Sequence, residues 1–203
     1  MIYGIILLIF VSVIAVGFTV DKKQPRSTAQ SPLLELSSVL SNNDLSVAEE
    51  VLLYLEGGES YLKKYKDELV QRGIEESPEV TDPIVLIDAL SRANKLVYQD
   101  GSSEPAWTLE KLDELSNGRL KSGDCYQELR EFYETTQYGI GTFLDQEGAW
   151  PSIFECAGSV GLSLMGINED SDAYALVLVE STSRKGVSEL AKAANIELYF
   201  ENS

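Results

Sequence analysis

Histidine is missing altogether from the 203 residues, and cations are scarce, with 16 Lys and Arg against 33 Asp and Glu. The first absence removes the commonest general base, the commonest metal ligand and the physiological-pH switch together. Triads of the Ser-His or Cys-His kind are thereby excluded. Cysteine occurs only at Cys125 and Cys156, too few for a disulfide framework or a cysteine zinc site. One bridge is arithmetically open, and two buried free thiols are the expectation. No Gly-x-Ser-x-Gly elbow, phosphate loop, Gly-x-Gly-x-x-Gly turn or aspartic-protease element occurs, and no internal repeat. These gaps imply no cofactor. They leave paired carboxylates as the one route to general acid and base chemistry, and an abundance of Asp and Glu does not designate a pair.

What is present begins with an apolar stretch from Ile2 to Val20, nineteen residues without a charge. As a helix it would reach about 28 Å, near the hydrocarbon thickness of a bilayer. An uncleaved transmembrane anchor is the expectation, with a cleaved secretory signal ending near Ala15-Val16-Gly17 as the alternative. Lys22, Lys23 and Arg26 follow the stretch and no basic residue precedes it. The positive-inside rule therefore places the rest of the chain in the cytoplasm, at a bacterial inner membrane; signal cleavage would make it periplasmic or secreted. Residues 21–31 form a polar, basic linker. From Pro32 onward 13 cations face 32 carboxylates, a net of −19. Such a field repels nucleic acid and favours encounter with a basic protein.

Residues 32–203 read as one α+β domain in which helices come first and a small, mainly antiparallel sheet follows. Ser31-Pro32 opens a helix to about residue 40, and Ser46 with Glu49 forms a capping box for the next, which Gly57-Gly58 ends. Tyr61, Tyr65 and Leu69 share one face of a helix over 59–72, stopped by Gly73. Further helices are predicted over 82–95, 106–115, from Asp124 onward, from Trp150-Pro151 to about 157, and over 183–194. Strands are predicted at 96–99, 162–167, 173–180 and 196–200. The third of these is apolar on both alternations, as in a central strand covered on two faces.

The segment 58–73 (GESYLKKYKDELVQRG), the stretch 87–115 with its acidic turn and Trp-containing helix, and the strands around EDSDAYALVLV resemble an uncharacterised bacterial family. It is one of the domain-of-unknown-function families, made of small acidic α+β proteins, and the likeness runs over about Leu45 to Phe200. The resemblance implies an α+β fold and carries no established activity and no agreed catalytic residues. Its size and acidity are similar to those of immunity and antitoxin-like proteins, which neutralise a partner by binding it.

Candidate partner contacts follow from charge and exposure. Trp107 and Trp150 stand near predicted helix starts, where an indole is either a half-exposed anchor or part of the core. Asp170 and Asp172 belong to the acidic turn Asn168 to Asp172, which is either a solvated turn or an oxygen site for a cation such as Ca²⁺. It lacks the glycine and closing Glu of an EF-hand loop. The leading expectation is a membrane-anchored protein-binding module, inhibitor or immunity-like, that engages a basic partner. A scaffolding component of the cell envelope and a carboxylate-dependent enzyme are the alternatives.

Overall fold

The strand with apolar residues on both alternations is the centre of the molecule. The structure, a computed structural model, describes residues 31–145 and 152–199. The predicted anchor from Ile2 to Val20, the linker up to residue 30 and the helix start at Trp150-Pro151 lie outside the described residues. Helices α1 (Pro32–Ser41), α2 (Leu45–Glu56), α3 (Gly58–Lys64), α4 (Lys66–Gln71) and α5 (Asp82–Arg92) precede strand β1 (Val97–Asp100). Then come α6 (Pro105–Leu115), α7 (Tyr126–Thr135), α8 (Ile140–Asp145) and α9 (Ile153–Ser159). The chain closes with β2 (Leu162–Ile167), β3 (Ala173–Glu180), α10 (Arg184–Ala193) and β4 (Leu198–Tyr199). Among the described residues, no helix is long and apolar enough to cross a membrane.

The four strands form one antiparallel sheet in the order β1-β3-β2-β4. Ala175, Val177 and Val179 of β3 point to one face, with Met165, Ile167 and helices α1, α2, α5 and α10. Leu176 points to the other, with Leu162, Leu164 and residues of α6 to α9. Two cores therefore flank one sheet, and helices cover both faces, as the apolar alternations of the third predicted strand imply. Topology supplies the reason. The crossovers β1 to β2 and β3 to β4 both step two places the same way, yet β1 and β3 run in opposite directions. Crossovers of one hand must then lie on opposite faces.

Local chemistry moves several predicted boundaries. Asp44, not Ser46, caps α2: its carboxylate accepts the Ser46 N–H at 3.0 Å and the Ser46 hydroxyl at 2.7 Å. These bonds hold the Asp44 carboxyl below its usual range. The predicted helix over 59–72 is kinked at Tyr65, which leaves helical dihedrals, although its N–H still reaches Tyr61 O at 3.0 Å. The short helix α8 was not foreseen. It follows Gly139, whose neighbours Ile140 and Gly141 donate backbone bonds to Ser103 O and Gly101 O, both at 2.9 Å.

The cysteines depart most from expectation. Cys125 at the start of α7 and Cys156 in α9 are joined in a disulfide, with Cα atoms 5.6 Å apart, instead of standing as free thiols. Both helices bury residues in the same core, which brings the pair together. Closing a loop of 31 residues contributes about 3–4 kcal/mol in the chain-entropy account.

Two glycines test the packing. A Cβ on Gly139 would lie 2.3 Å from Gly101 O and 2.7 Å from Ser102 Cα, both backbone atoms. Gly186 in α10 has nothing within 4 Å of such a Cβ. Gly139→Ala is expected to cost about 1–3 kcal/mol in urea unfolding and Gly186→Ala to add up to about 0.5–1 kcal/mol. Equal effects would mean that the contact between the two loops is absent.

Candidate functional site

With helices over both faces, the sheet presents its edges and ends to solvent. β1 finishes at Asp100 opposite Ala173, the first residue of β3. The start of α6 and the turn between β2 and β3 thus leave the sheet at the same end. The loop before α8 joins them there through its bonds to Gly101 and Ser103. Large side chains stand exposed along this end: Tyr98 at 40%, Trp107 at 41% and Tyr138 at 58%. Asp100, Glu104, Asp170 and Asp172, on the segments that leave this end, are exposed as well.

Each feature has a local cause. In β1, Val97 and Gln99 share the face of Leu176, so alternation sets Tyr98 on the opposite face, that of Ala175, where it stays partly exposed beside Arg72. The inward Gln99 accepts the Thr108 hydroxyl at 2.6 Å, which fixes α6 against β1. α6 buries Thr108, Leu109 and Leu112, leaving Trp107 on its outer side. Asp100 accepts the Ser102 N–H at 2.7 Å, and the Ser102 side chain, followed by this backbone bond, keeps its carboxyl below the ordinary range. Asp170 sits in the left-handed region at φ 59°, its N–H bonded to Asn168 Oδ1 at 2.8 Å. It borders a cleft of about 440 Å³ together with Pro83, Lys192, Asn195 and Glu197.

The acidic turn commits one carboxylate inward. Glu169 pairs with Arg72, accepts the Tyr98 hydroxyl and accepts Ser171 Oγ at 2.9 Å. Arg72 also binds Asp88 and lies over the Tyr98 ring at 5.7 Å. Burial raises the Asp88 carboxyl, with Arg72 opposing. Among the described residues, no group of three or more His, Cys, Asp or Glu is placed to hold a metal ion.

A second clasp lies one helical turn along α5. Arg92 donates to Glu50 through Nε at 3.0 Å and Nη2 at 2.6 Å, and to Tyr61 Oη at 2.9 Å. Its guanidinium covers the Tyr65 ring at 3.9 Å and its remaining arm binds Glu68. Burial pushes the Tyr61 phenol up, with Arg92 opposing. Every arm of Arg92 is engaged, which makes this clasp a tie between α2, α3, α4 and α5. It also explains the kink at Tyr65, whose ring fills the space beneath the guanidinium.

Of the predicted contacts, Trp107, Asp170 and Asp172 stand exposed toward one end of the sheet, while Trp150 lies outside the described residues. Tyr98 and Tyr138 were missed. Alternation on an edge strand signals the first; nothing local signals the second, because its place depends on the pairing of two distant loops.

The fold and this end together define an acidic α+β domain with an aromatic rim. Residues 32–201 match the family described as a domain of unknown function, DUF6630, and the chain belongs to that family. The match spans the predicted stretch of resemblance and adds α1. Neither the curated proteins nor the solved structures yield a match.

Arg92→Lys keeps the charge and loses the bidentate fork. It is expected to cost about 1–3 kcal/mol in chemical unfolding, because Glu50 is left underpaired at a nearly buried position. Glu189→Gln, which removes the exposed 3.9 Å pair with Lys185, serves as the control and should leave the midpoint unchanged.

Proposed function

We propose that the domain is a protein-binding module, inhibitor or immunity-like, that docks a basic protein against the aromatic and acidic end of its sheet. The carrying observation is the exposure of Trp107, Tyr138, Asp100, Glu104, Asp170 and Asp172 on the segments that leave one end of the sheet, with Tyr98 exposed on the edge strand that leads there. Rigid aromatic rings bury large apolar area at little entropic cost, and carboxylates around them steer a cationic surface into register. Arg72 is already bound to Asp88 and Glu169, so it does not offset the exposed acids nearby. The net of −19 from Pro32 onward extends the attraction beyond the contact itself. The stretch from Ile2 to Val20 would hold the module at a membrane.

The test is capture of a partner by full-length protein in detergent, followed by association and dissociation kinetics at several salt concentrations. The association rate should fall steeply as ionic strength passes about 0.1 M, where the Debye length is about 10 Å. Asp170→Asn with Asp172→Asn should slow association. Trp107→Ala should speed dissociation about tenfold, or about 1.4 kcal/mol. An acidic partner, or an association rate indifferent to salt, would contradict the reading.

A further inference from the structure

We infer that the domain is oxidised and resides outside the reducing cytoplasm, so that its partner is met in an oxidising compartment. The Cys125–Cys156 bond carries this. Cys156 is fully buried, and Cys125 is partly buried beside Tyr126 and Leu129 in the core beneath α6 to α9. The pair lies 31 residues apart, without the two-residue spacing of a redox-active dithiol. A buried bond of this kind is structural, and structural disulfides persist in secreted, periplasmic or lumenal proteins and are rare where thiol reductants circulate.

Formation removes two protons and two electrons from the two thiols. The oxidant is a protein disulfide that exchanges through a mixed disulfide and leaves as a dithiol. The partly exposed Cys125 is the point of entry for the mixed disulfide, and the buried Cys156, within bonding distance of it, displaces the oxidant's thiol. The bond therefore forms in the compartment that holds the oxidant. The apolar stretch Ile2 to Val20 then acts as the export element, as anchor or signal, which is opposite to the orientation that Lys22, Lys23 and Arg26 suggest. The location of the partner rests on the binding reading above; the oxidation does not.

The test uses the full chain at native abundance in the cells that make it. Proteins are quenched in acid, and free thiols are tagged with a polymer-linked maleimide, with and without prior reduction. The expected result is no shift before reduction and a two-adduct shift after it. A C-terminal alkaline phosphatase fusion should be active. A two-adduct shift without reduction, or an inactive fusion, would overturn the inference. Failure to capture any basic partner would sink the binding reading and leave the oxidation result standing.

Discussion

Burial of β3 on both faces is the constraint on which the rest of the molecule depends. Ala175, Val177 and Val179 need one helical layer, and Leu176 needs another. A four-stranded sheet with a single solvated face could not satisfy both sets. The order β1-β3-β2-β4 meets the demand by placing β3 inside the sheet and sending the two crossovers to opposite sides. The clasps around Arg72 and Arg92 are consequences at the rim of this arrangement. They tie the first helical layer to itself and, through Glu169, to the end of the sheet.

The same constraint decides which parts of the sheet reach solvent. When both faces are covered, the exposed strand ends and the loops that leave them are where side chains from distant parts of the sequence meet. The loop before α8, the start of α6 and the β2–β3 turn leave the sheet together in this way. The carboxylates of that turn divide by direction. Glu169 faces inward and is neutralised, while Asp170 and Asp172 face solvent with their charge available.

The strands were legible as short apolar runs bounded by turn residues. The limits of β2 and β3 match the sequence expectation residue for residue, β1 is displaced by one, and β4 is confined among the described residues to Leu198–Tyr199 where 196–200 was expected. Helix starts were less legible where two capping candidates lay close together, as Asp44 and Ser46 do. Coverage of β3 on two faces was legible from its apolar alternations, but the division of helices between the faces was not, since amphipathic spacing says that a helix has a core-facing side and not which face of a sheet it covers. The bond between Cys125 and Cys156 was invisible for the same reason. Of the candidate site, Trp107 and the two aspartates could be named from type and position, whereas their meeting with Tyr98 and Tyr138 depends on register and loop pairing.

Native-state hydrogen exchange on the domain, resolved by residue, tests the two-faced sheet most directly. If β3 is the shared wall of both cores, its paired amides and those of β2 exchange only by global unfolding, while each helical layer opens at lower free energy. Slow exchange confined to the helices of one layer, with β3 already open, would contradict it.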